Sequence, residues 1–207
     1  MSNISIELLE SDGMIIKKIH TSLAKVFNKS LKNDVGKIRA DLRPIVANAI
    51  FASPELSSLS SGTLAVDFGL TTDPAGPIVN SIVQSLDIDI QQAVATAGGI
   101  KGGLLITMQP IDYSNLFSLS VAEQIIKGGS IPWLRWLLTF GHQVIIGSFG
   151  VKYESGRGRS GGGYMTIEER PFKVNSAYAG TVDNNFITRS ISRVAPQIKS
   201  TIIKAVQ

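Results

Sequence analysis

From Met14 to Leu31 the apolar residues Ile15, Ile16, Ile19, Leu23, Val26, Phe27 and Leu31 recur at three- and four-residue steps, with lysines set between them. This is the period of an amphipathic α-helix, and a helix with one apolar stripe has to bury it against another element. The pattern resumes from about Val35 to Phe51 through Ile38, Leu42, Ile45, Val46, Ala49 and Ile50. Pro44 lies inside that second stretch, removes a backbone donor, and is expected to kink or divide the helix.

Ser53-Pro54-Glu55 predicts a new short helix, with serine as N-cap and proline in the first helical position. Ser60 to Leu70 reads as a further turn of helix ending in glycine, so residues 1–70 form a helical N-terminal portion. Thr71-Thr72-Asp73-Pro74-Ala75-Gly76-Pro77 is a cluster of breakers and the best internal boundary. A chain of 207 residues can bury one continuous core, and residues 1–207 are read as a single domain.

Strand signals are confined to residues 78–207, where a sheet and a C-terminal helix are expected. Ile78 to Leu86 looks helical, and Asp87-Ile88-Asp89-Ile90-Gln91 alternates as a strand does. Gly98 to Gly103 separates it from Leu104 to Met108, which predicts a hairpin. Ile125 and Ile126 are expected to close a short helix, and Ser130-Ile131-Pro132 to open another on which Trp133, Trp136, Leu137 and Phe140 share one buried face. Gln143 to Phe149 and Tyr164 to Ile167 read as strands around a glycine-rich flexible loop at residues 150–163. Asp183 or Asn184 should cap a last helix with a stripe of Ile187, Ile191, Val194, Ile198, Ile202 and Ala205, interrupted by Pro196. The fold class is therefore α+β: a small antiparallel sheet packed by amphipathic helices, with a long glycine-rich hairpin arm.

The chain has no cysteine, which excludes disulfides, thiolate nucleophiles and cysteine-based metal sites. The opening Met1-Ser2-Asn3-Ile4-Ser5-Ile6-Glu7 has no basic n-region and no apolar run, so neither export nor membrane insertion is expected. Charge is uneven: Lys17, Lys18, Lys25, Lys29, Lys32, Lys37, Arg39 and Arg43 face only Asp34 and Asp41 between positions 17 and 43. Such a basic helical surface contacts phosphate or acidic protein, or simply stays solvated. Lys17, Lys18, Lys25, Lys29 and Lys32 are its candidate residues.

Two catalytic patterns occur in the glycine loop and neither has its context. Gly156-Arg157-Gly158-Arg159-Ser160-Gly161 satisfies G-x-G-x-x-G, which needs a helix beginning at the last glycine to face a pyrophosphate. Gly158-Arg159-Ser160-Gly161-Gly162 satisfies G-x-S-x-G, whose acid and histidine should follow the serine. Both His20 and His142 precede it. The two histidines lack carboxylates at ligand spacing, and Glu168-Glu169, adjacent on a strand, point to opposite faces. No catalytic, cofactor-binding or metal-ligating residue is assigned. Arginine among glycines also suggests an RGG-type nucleic-acid contact, with Tyr153 and Tyr164 as stacking groups. An arm that orders against a neighbouring subunit uses the same residues, which makes Lys152, Tyr153, Arg157, Arg159 and Tyr164 candidates for a subunit interface.

The order of features resembles the neck and tail-completion proteins of tailed phages. Four segments carry the resemblance: the basic N-terminal helix, Ser61-Gly62-Thr63-Leu64 after Ser53-Pro54-Glu55-Leu56, Trp136-Leu137-Leu138-Thr139-Phe140-Gly141, and Arg170-Pro171-Phe172 before the last helix. Family members have Glu-Phe-Gly-Thr after the aromatic helix; Thr139 stands here in place of the glutamate, and His142 follows the glycine. The resemblance implies a non-enzymatic virion structural protein without cofactors, assembled in the host cytoplasm as a homo-oligomeric ring or collar at the head-tail joint. Its implied partners are connector, portal-side or tail proteins, with non-specific contact to DNA in the channel and none to membrane. A tail terminator, tail tube or baseplate component is the first alternative, and a nucleic-acid-binding protein using the basic helices the second.

Overall fold

The computed structural model describes residues 10–110, 112–126, 129–167 and 171–206. Its first element is one unbroken helix, α1 (Asp12–Phe51), where two were expected. Proline in a helix interior costs about 3 kcal/mol. Ile38, Leu42, Val46 and Ile50 line the same face of that helix and are fully buried, each worth about 1.5 to 3 kcal/mol. The burial outweighs the proline, and the carbonyl of Ala40 that Pro44 leaves without its usual donor belongs to a solvent-exposed residue.

Ser53 caps α2 (Pro54–Ser61) by accepting from the Leu56 amide, as its sequence predicts, and α3 (Thr63–Asp67) and α4 (Ala75–Ser85) follow. The breaker cluster shapes the start of α4 and does not divide the core, which continues from Ile38 through Phe68, Ile78 and Trp133 to Ile198.

The α+β class holds, and among the described residues the strands form three separate two-stranded antiparallel pairs. The first pairs β1 (Asp87–Thr96) with β2 (Gly99–Thr107). Gly98 and Ala97 make its turn, so the expected spacer from Gly99 to Gly103 lies inside β2. A bulge between Gln91 and Val94 shifts the register and frees the backbone of Ala93. Asn28 of α1 takes up both groups, donating to the Ala93 carbonyl at 2.9 Å and accepting from its amide at 2.7 Å. Opposite the bulge Gly102 has φ +137° and leaves no room for a Cβ, which would sit 2.4 Å from Ala93 Cα.

After the short α5 (Ser114–Phe117), β3 (Gln124–Ile126) pairs with β4 (Gly129–Ile131). Ile125 and Ile126 are therefore strand rather than the end of a helix. Two consecutive β-branched residues suit an extended backbone better than one helical turn. The aromatic segment forms a single α-turn, α6 (Trp133–Arg135), and then a π-helical turn over Trp136–Phe140. The wider turn breaks the shared face: Trp133 and Leu137 are fully buried, whereas Trp136 and Phe140 are half-buried. Trp133 packs on Phe68 at 5.6 Å between ring centroids and donates from Nε1 to the Val121 carbonyl at 2.9 Å.

Gln143 to Phe149 is not one strand. Ile146 makes an isolated bridge to Phe172, and a turn with Ser148 at φ +59° precedes β5 (Phe149–Tyr153). β5 pairs with β6 (Gly163–Ile167), so the ends of the expected loop, residues 150–153 and 163, are strand. The last helix, α7 (Phe186–Val206), is continuous through Pro196. Its cap is Asn185, one residue beyond the expected pair: Oδ1 accepts from the Ile187 and Thr188 amides, and Nδ2 donates to Tyr113 Oη at 2.7 Å. Arg189 meets Glu55 and Arg193 donates to the Ala49 carbonyl, so α7 runs antiparallel along the C-terminal half of α1. Its stripe is seated on the core, with Ile187 and Ile198 buried and Ile191, Val194 and Ile202 packed against it.

Candidate assembly surfaces

The glycine-rich tip between β5 and β6 is folded onto its own chain. The Glu154 amide donates to the Gly162 carbonyl at 2.9 Å, Gly156 to Gly161 at 2.8 Å and Gly163 to Arg157 at 3.0 Å. At Gly158, φ is +70° and a Cβ would lie 1.6 Å from the Gly163 carbonyl oxygen. Only glycine closes the turn this tightly. Gly162 and Gly163 rest against Val66 of α3, while residues 152–159 of the tip stay exposed to solvent.

The five candidate interface residues divide among separate contacts. Arg157 pairs with Glu154 at 3.2 Å and stacks its guanidinium over the Tyr164 ring at 5.6 Å. Arg159 crosses to the neighbouring hairpin and donates to the Ile125 carbonyl at 3.0 Å. Tyr153 leaves its ring exposed while its hydroxyl donates to Asp67 at the end of α3. Lys152 is exposed. Burial pushes the Asp67 carboxyl above its ordinary range, with the Tyr153 hydrogen bond pulling the other way. Burial, then the hydrogen bond and charge of Asp67, push the Tyr153 phenol well above its own. The Asp67–Tyr153 contact had no signal in the sequence, because a single aspartate after Leu64-Ala65-Val66 looks like an ordinary helix end.

Ser160 sits on this tip, and β6 rather than a helix follows Gly161 to Gly163. Neither the pyrophosphate cradle nor the nucleophile elbow has its required helix. His142 is exposed just after the helix end, and His20 is half-buried on α1. Among the described residues there is no group of three potential metal ligands. Glu168, Glu169 and Arg170 lie outside the described residues. No described helix is long and apolar enough to cross a membrane.

Besides Val94, Ile100 and Leu105 on the β1–β2 hairpin, exposed apolar groups occur at two further places. The register partners Phe149 and Ile167 are 38% and 78% exposed at the open end of the β5–β6 hairpin, and Ile125 on β3 is 68% exposed. The second place is the N-terminal half of α1, where Ile16, Ile19, Leu23 and Val26 are exposed. At 100° per residue, Lys18, Lys25, Lys29 and Lys32 make a separate basic stripe on the opposite side of that helix. Lys17 leaves it and flanks the hairpin tip at Ala95 to Ala97. Lys18 pairs with Glu10. Trp136 and Phe172 pack in a tilted arrangement with their ring centroids 6.5 Å apart.

No family model matches the chain, and neither a curated protein nor a solved structure matches it.

Proposed function

We propose that the chain is a non-enzymatic virion structural protein of a tailed bacteriophage, forming a ring or collar at the head-tail joint through contacts between copies and with adjacent connector or tail proteins. The observation that carries this reading is the pattern of hairpins. Among the described residues each has only two strands, and the β5–β6 pair ends in the exposed Phe149 and Ile167. Open edges beside apolar side chains are adhesive surfaces, which single-copy proteins normally blunt. A neighbour that adds a strand there satisfies the edge amides and buries the two side chains together. A contact between different surfaces of successive copies is heterologous, the kind that closes into a ring.

Negative-stain images of the purified protein, alone and with the head or tail fraction of a phage lysate, test the proposal. Rings, or density added at the tail-proximal vertex, are expected, and Ile167→Glu should abolish them while leaving circular dichroism unchanged. Particles placed along the tail or at its tip would move the assignment to a tube, terminator or baseplate component. The basic stripe favours one further reading, DNA binding by the isolated protein, which would show as an affinity that falls steeply with salt.

A further inference from the structure

One face of α1 carries only positive charge over most of its length. By the helical turn, Lys18, Lys25, Lys29, Lys32 and Arg43 fall within a band of about 60°, and all five are exposed. The helix is unbroken from Asp12 to Phe51, so these charges keep fixed positions along about 37 Å, at about 1.5 Å per residue. The acids of the same stretch, Asp34 and Asp41, lie roughly 150 to 170° round from the centre of the band.

Two cations of this side are answered within the chain. Lys18 pairs with Glu10, and Arg39, at the edge of the band, pairs with Asp87 at 2.7 Å. Lys25, Lys29, Lys32 and Arg43 have no ion pair among the described residues. Between them the same side shows Ser22, Gly36 and Ala40, all exposed and too small to hold a partner away. Within the band from Lys18 to Arg43 no aromatic or large apolar side chain is exposed; Ile19, Leu23, Val26 and Phe27 all lie outside it.

We infer that this face of α1 binds the phosphate backbone of double-stranded DNA without reading its sequence, through Lys25, Lys29, Lys32 and Arg43. The inference rests on the DNA-binding reading given above, to which it assigns residues and a mode of contact, and it is independent of the ring. An acidic protein is the poorer fit, because protein interfaces are depleted in lysine and anchored by aromatic groups that this band lacks. A single strand is the poorer fit for a related reason: it is held by stacking its bases on aromatic side chains. Base readout in a duplex needs planar, forked donors at the base edges, whereas lysine is a point charge on a flexible stem. A duplex carries one phosphate charge per about 1.7 Å of axis, so every cation of the band meets a phosphate whatever the register.

Fluorescence anisotropy with a labelled, mixed-sequence DNA duplex of about 30 base pairs, at about 3.4 Å each, tests this over a salt series. Four unpaired cations give an expected slope of log affinity against log salt of about −4, a loss of about a hundredfold between about 50 and 200 mM. The combined variant Lys25→Gln, Lys29→Gln, Lys32→Gln should weaken binding more than about tenfold at low salt and flatten the slope to about −1. Its circular dichroism should not change, because glutamine and lysine have similar helix propensities. Arg157→Gln with Arg159→Gln, in the glycine tip, should leave affinity and slope as they are. Binding that survives the lysine variant overturns the inference and leaves the DNA-binding reading standing. Absence of binding at low salt overturns both. Tighter binding of the single strand overturns the duplex, and displacement of the duplex by poly-glutamate at equal charge overturns the phosphate partner in favour of an acidic protein.

Discussion

Glu55 and Arg189, 134 residues apart in the chain, meet at 2.6 Å, with the Glu55 side chain only 4% exposed. Their contact ties the start of α2 to the first turn of α7. Arg189→Ala leaves the buried carboxylate without its charged donor and is expected to cost about 2 to 3 kcal/mol. Urea unfolding measures it, and Glu55→Gln should cost less because the amide carries no charge to strand.

Trp133 and Trp136 should respond differently to truncation although they are three residues apart. Trp133→Ala removes a fully buried indole and its hydrogen bond, at about 3 to 5 kcal/mol. Trp136 is half-buried, and Trp136→Ala is expected to cost about 1 to 2 kcal/mol. Thermal unfolding of the two variants ranks them; equal losses would contradict the turn geometry.

The raised pKa of Asp67 makes a stability claim with a definite sign. Between the unfolded value, near 3.8, and the higher folded value, the folded chain holds more protons than the unfolded one. This carboxyl's contribution to stability therefore falls as pH rises through that window and is flat on either side. Asp67→Asn removes it, and the difference in unfolding free energy between the two proteins across acid pH measures it.

Asn28→Ala should loosen the β1–β2 hairpin without unfolding the core. It removes two hydrogen bonds to the bulge at Ala93, each worth about 1 kcal/mol. Faster amide exchange confined to β1, β2 and the N-terminal half of α1 is the expected result.

The glycine tip should be protected in the isolated chain at Gly156 and Gly163, whose amides are held internally. Gly158→Val forces a side chain against the Gly163 carbonyl and should abolish that protection while leaving the exchange of α7 unchanged.

The residues themselves determined the features that depend on neighbours in the chain. Ser53-Pro54 announces the start of α2, because a serine hydroxyl three residues ahead of the Leu56 amide acts locally. The apolar stripes of α1 and α7 are legible because helical period is a property of spacing alone. The candidate interface residues were found as a group by composition, yet their contacts were not, since nothing in the sequence links Tyr153 to Asp67 or Arg159 to Ile125.

Tertiary structure decided wherever a distant contact outweighed a local preference. Pro44 and Pro196 read as breaks, but each sits in a helix whose burial elsewhere exceeds the local cost. Ile125 and Ile126 had no strand partner until β4 came beside them. Asn185 rather than Asp183 or Asn184 caps α7 because the buried Tyr113 hydroxyl accepts from its Nδ2, and that tyrosine lies 72 positions away. The N-terminal half of α1 joins both cases: the spacing of its apolar residues is written in the sequence, and only the fold shows that Ile16, Ile19, Leu23 and Val26 are left exposed.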